Sequence, residues 1–178
     1  MLALLRFLDR ITGISGTLVA WLVIPLILAS CYEVVSRYVF GAPTMWAFEV
    51  AYMLMGTHFL IGMAYALRED AHVRVDFFYG SLSAKKRALC DVFAYVVLML
   101  PAALWLTAGF WQKVMIAYAS QERSGMSAFN PVIWPFRLFL FTAFVLLVLQ
   151  GIAKLIRALR VLADQPVPEA PKGKGDRL

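Results

Sequence analysis

The sequence predicts an all-α integral membrane protein of four transmembrane helices. Both termini lie on the inner side, an interfacial inner loop joins spans two and three, and the C-terminal tail is disordered. Three observations predict this. The chain is 62% hydrophobic and 16% charged, with a mean hydropathy of +0.74. A soluble domain carries about half apolar and a quarter charged residues. Apolar runs near the ~20-residue length of a membrane span recur four times. The net charge of +6 is not gathered into one patch but falls between and after those runs, which argues against a nucleic-acid partner.

The first span covers about residues 11–36 and contains Pro25. The second covers 45–67, broken by Glu49 and His58. The third covers 88–112 and contains Pro101. The fourth covers 131–156 and contains Pro131, Pro135 and Arg137. The prolines are read as kinks, because membrane helices tolerate Pro where neighbours satisfy the freed carbonyls. A helix could run unbroken from about Ala84 to Gln121 except at Pro101, with Ser83 as its N-cap. Such a helix exceeds the hydrocarbon thickness, so it must tilt, bend or project outward. Residues 1–160 form the membrane domain, and 161–178, rich in Pro, Gly and charge, form the cytoplasmic tail.

Basic residues set the orientation. Arg6 and Arg10, the inner loop from Arg68 to Arg87, and the C-terminal region hold thirteen of the 17 Lys and Arg residues. Arg37, Lys113, Arg123 and Arg137 lie on the other side. The positive-inside rule therefore places both termini in the cytoplasm. Leu28-Ala29-Ser30-Cys31 has the form of a lipoprotein cleavage box, but the preceding apolar run is too long for a signal core. Cys31 and Cys90 lie in or beside apolar runs and give no zinc-ligand spacing.

Ionisable groups within spans are functional candidates. Glu33 and Arg37 are four apart on one helix face, and Glu49 enters span two from the same side, one turn beyond Trp46. An interhelical ion-pair cluster of Glu33, Arg37 and Glu49 is expected there. Lys113 and Arg137 are read as snorkelling at the same outer interface. His58, near the centre of span two, is read as an interhelical hydrogen-bonding group. A haem would need a second axial ligand, and the only other histidine, His72, is in a loop.

The inner loop contains the alternating stretch AHVRVD. His72, Arg74 and Asp76 are read as an interfacial turn, since polar loop residues usually satisfy local backbone groups. Phe77, Phe78 and Tyr79 suit the headgroup region, and Lys85, Lys86 and Arg87 suit anionic phospholipid headgroups.

The stretches SRYVFGAPTMWAFEVAYML, HVRVDFFYGSLS and FNPVIWPFRLFLFTAFVLLVLQ occur in this order across the four spans. In these the chain resembles the small membrane subunit, the DctQ-like small permease, of tripartite ATP-independent periplasmic (TRAP) transporters. The resemblance covers nearly all of residues 10–160. It implies a bacterial or archaeal cytoplasmic-membrane protein that is not an enzyme and holds no cofactor. It implies two protein partners: a large elevator-type membrane subunit on a separate chain, and a periplasmic solute-binding protein. Substrate and sodium sites belong to the large subunit, and the cargo is an organic acid. The small subunit is then a stator and docking aid. The alternatives are a haem-binding membrane anchor, or a self-sufficient carrier coupling protons through Glu33 or Glu49.

Overall fold

The computed structural model describes residues 2–71 and 83–165. Among the described residues, six α-helices and one π-helical segment make four rods long and apolar enough to cross a membrane. Rod one is α1 (Leu2–Ala20) followed by α2 (Val23–Tyr38). Rod two is α3 (Ala47–Arg68). Rod three is α4 (Ala84–Phe93), the π segment Ala94–Met99 and α5 (Leu100–Ser120). Rod four is α6 (Trp134–Leu162).

Proline explains the interruptions in rods one and three. Pro25 has no N–H for the Trp21 carbonyl, and its ring would strike that carbonyl. The helix opens at Trp21 and Leu22, where Leu22 N–H bonds Val19 O at 3.0 Å and Ile24 N–H bonds Trp21 O at 3.2 Å. In rod three the π segment ends just before Pro101, whose missing N–H leaves the Val97 carbonyl without its ordinary donor. Pro131 and Pro135 correct the sequence reading. They do not kink a span: α6 begins at Trp134, so Pro131 precedes the helix and Pro135 occupies its first turn, where no N–H is needed.

The rods are longer than the apolar runs. Rod three continues past Lys113 to Ser120, as the absence of a breaker foretold. It stops when Gln121 turns left-handed (φ 50°) and Glu122 N–H reaches back to Ala117 O at 3.1 Å. Ser83 precedes α4 with extended backbone, but its side chain makes no capping bond. Rod one begins at Leu2, and rod four runs to Leu162, beyond the expected boundary at 160. The inner-loop residues His72, Arg74, Asp76, Phe77, Phe78 and Tyr79, and the tail after Gln165, lie outside the described residues.

Helix α6 is the spine, packed against α1, α3, α4 and α5. Half of its most apolar stretch is buried, whereas rod three presents most of its surface outward. The core joins Val19, Ile61, Ala64, Ala103, Phe144 and Leu147, with Phe110 stacked on Phe144 at 5.0 Å between ring centroids. Lipid tails are as apolar as leucine, so close approach through small residues holds such helices together. Gly16 meets the Tyr65 ring at distances that leave no room for a Cβ, and Gly151 packs against the flexible end of the Met99 side chain.

Gly16→Ala should therefore push α1 from α3 and destabilise the fold by about 1–3 kcal/mol. Gly62→Ala, with open space around it, should be neutral or stabilising. Thermal unfolding of the two variants in the same detergent checks this; equal melting would show that the Gly16 contact does not hold the bundle.

Candidate functional site

The polar chemistry of this chain sits at the two ends of the bundle. At one end, α2 stops near Tyr38 and the chain turns through Gly41 (φ 63°) and Pro43 into α3. Glu33 pins that turn. One carboxylate oxygen accepts from Arg37 Nε at 2.8 Å; the other accepts from Thr44 N–H at 2.9 Å and from the Thr44 hydroxyl. Trp46 stacks on Tyr32, with ring centroids 5.8 Å apart. The structure thus forms the Glu33–Arg37 pair but not the expected cluster with Glu49. Arg37 is spent on Glu33, and Glu33 on Thr44.

Glu49 stands apart. It occupies the first turn of α3, where the helix dipole favours a negative charge. It is only 1% exposed, and neither carboxylate oxygen has a hydrogen-bond partner.

Arg137 does not simply snorkel. It grips Glu122 with two bonds, at 2.6 and 2.7 Å, and its Nη1 also reaches the Lys113 carbonyl at 3.2 Å. Glu122 was not anticipated; its signal was its place immediately after the long third rod. The segment it begins folds back as a tight hairpin. Arg123 and Val132 form an isolated antiparallel bridge, Ser124 N–H bonds Pro131 O at 3.0 Å, and the Asn130 side chain accepts from Gly125 N–H at 2.9 Å. Met126 and Phe129 are exposed at its tip. Lys113 lies over the Phe110 ring at 5.8 Å.

At the other end lies a buried polar tie absent from the sequence reading. Asp9 and Arg157 form an ion pair, both buried. Gln150, with no exposed surface, donates to Asp9 at 3.3 Å and meets the Thr12 hydroxyl at 3.1 Å. Lys154 pairs with Asp70 at 2.5 Å. The signal was periodicity: Gln150, Lys154 and Arg157 share one face of α6, and Asp9 and Thr12 share one face of α1. The positive-inside count uses Lys154 and Arg157 only as part of the basic C-terminal region. Lys85 reaches Asp164 at 2.7 Å, both exposed; Lys86 is exposed, and Arg87 lines the cavity beside Lys154.

Between the ends, His58 bridges helices: its Nδ1 lies 3.1 Å from the Val19 carbonyl, which the break below Pro25 leaves accessible. Apart from His58, no acidic or basic residue lies between Arg10 and Glu33, Glu49 and Arg68, Asp91 and Lys113, or Arg137 and Lys154.

The family model described as tripartite ATP-independent periplasmic transporters, DctQ component, matches residues 26–161. The chain belongs to this family. It is a small TRAP transporter subunit, and four apolar rods fit a multi-pass membrane protein. The match to the DctQ component begins just after Pro25, so α2 to α6 carry it and α1 lies outside. No curated protein matches the chain. The family is that of a transporter component rather than of an enzyme.

The Asp9–Arg157 tie of this DctQ subunit has a measurable strength. Removing one partner of a buried ion pair leaves an uncompensated charge. Arg157→Ala should cost about 3–5 kcal/mol, whereas replacing both Asp9 and Arg157 by Leu should recover most of it. Unfolding of the single and double variants in detergent checks this; a double variant as weak as the single one would mean the charges, not their mismatch, hold α1 to α6.

Proposed function

We propose that this chain is the fixed scaffold of a TRAP transporter. It holds the large elevator-type subunit in the cytoplasmic membrane and offers its outer face to the periplasmic solute-binding protein during sodium-driven uptake of an organic acid. Both termini and the Asp9–Arg157 end face the cytoplasm. The observation that carries this reading is the absence of ionisable side chains, other than His58, from the middle of every span. A carrier that binds and releases a solute places polar groups near the bilayer midplane.

The outer face supports the second part. The hairpin after α5 is held by main-chain and side-chain bonds, and presents Met126 and Phe129 without further ordering. A preordered surface loses little entropy on docking, which suits a partner that must arrive and leave in each cycle. The Glu33–Arg37–Thr44 knot fixes the neighbouring outer turn in the same way. The solute and sodium sites lie in the large subunit, and the organic acid does not pass through this chain.

The competing reading makes Glu49, buried and unpartnered, a proton-coupling group of a self-sufficient carrier. Proteoliposomes separate the two. This chain alone should give no uptake under a sodium or proton gradient, while the full set of three proteins should give uptake that survives Glu49→Gln. Uptake by the chain alone, abolished by Glu49→Gln, would replace the scaffold reading with the carrier.

A further inference from the structure

Rod three turns most of its surface outward, and Lys113 stands exposed on it. Its ammonium lies over the Phe110 ring at 5.8 Å. No acid among the described residues pairs with it. Glu122, the acid that Arg137 holds beside the Lys113 carbonyl, gives both of its oxygens to Arg137.

The direction of this side chain is informative. Helical side chains lean toward the N-terminus of their helix. On α5 that is toward Leu100 and the middle of rod three, and Phe110 lies on that side. The Tyr118–Trp134 contact, with ring centroids 5.5 Å apart, marks the level of an aromatic belt. Lys113 stands five residues from Tyr118 toward the middle, or about 7–8 Å along the helix. A snorkelling lysine would rise toward that belt. This one points away from it, along a stretch with no acid between Asp91 and Lys113. An ammonium facing lipid there is unfavourable, and one aromatic face offsets that only in part.

A notch opens beside it. About 380 Å³ lies along α5 between Trp105 and Lys113, with Gly109 and Gln112 in its lining. A Cβ on Gly109 would meet nothing within 4 Å. A gap over glycine admits the close approach of another helix. Lipid phosphate is the other anion at hand, but it belongs at the headgroup level, from which the ammonium is turned away.

We propose that the notch at Gly109 receives a membrane helix of the large transporter subunit, and that this helix carries an aspartate or glutamate that pairs with Lys113. The proposal rests on the scaffold reading and adds the face and the charge by which the large subunit is held.

The assembled transporter tests it, with a photoreactive benzoylphenylalanine replacing Trp105 or, as a control, Phe59 on α3; both side chains are well exposed. The Trp105 probe should crosslink the large subunit at a peptide that contains Asp or Glu. Lys113→Met strands the partner's carboxylate and should lower retention of the large subunit by at least about tenfold. Lys113→Arg should restore most of it. Gly109→Leu fills the notch and should also release the large subunit. Both positions are open, so neither Lys113→Met nor Gly109→Leu should lower the melting of this chain alone. Wild-type retention by Lys113→Met, or a Trp105 probe that labels only phospholipid, would overturn the proposal. Crosslinking from Phe59 but not from Trp105 would overturn it and leave the scaffold reading standing. A wild-type chain that never co-purifies with the large subunit would overturn both.

Discussion

A charge in a bilayer is cheapest at the end of a span and beside a partner, and the architecture of this chain follows from that constraint. The four rods keep their middles apolar and place acids and bases at the ends. At one end, Asp9 on α1 meets Arg157 on α6, with Gln150 and Thr12 completing the tie. At the other, Glu33 closes the turn into α3, and Arg137 clamps the hairpin that joins α5 to α6. The weak dispersion and close packing available in lipid then need only to register the rods. Gly16 against Tyr65, Gly151 against Met99 and the Phe110–Phe144 stack do this.

The same distribution shapes the functional account. The polar ties lock elements to one another instead of lining a route from side to side. The one histidine at mid-depth is occupied with a backbone carbonyl from the neighbouring helix. Rod three, by contrast, turns most of its surface outward. A chain stiff at both ends, with much apolar surface, suits a part that other subunits pack and work against. Glu49 is the exception, and its isolation makes it the residue on which a carrier mechanism would have to rest.

Much of the fold was legible in the sequence. Uninterrupted apolar runs marked four spans, and the lack of a breaker between Ala84 and Gln121 marked the long third rod. Pro25 and Pro101 were readable as interruptions because a missing N–H acts locally. Pro131 and Pro135 were misread because the same residue starts a helix as readily as it bends one, and only the boundary at Trp134 separates the cases. The end chemistry was less legible. The pair Glu33–Arg37 is local in sequence and was found; the link from Glu33 to Thr44 depends on the path of the turn. Asp9 and Arg157 lie at opposite ends of the chain, and no spacing rule relates them. Reading Lys154 and Arg157 as topology markers hid that they share a face with Gln150.

The central claim is that this chain stays still while its partner moves. Cys31 on α2 and Cys90 on α4 are both free and exposed, and lie on different rods. Spin labels on these two, in the assembled transporter with other cysteines replaced, report the distance between rods one and three. A scaffold predicts one distance distribution, unchanged by sodium, solute and binding protein. A second population that appears with solute would mean that this chain itself changes shape during transport, and would contradict the account.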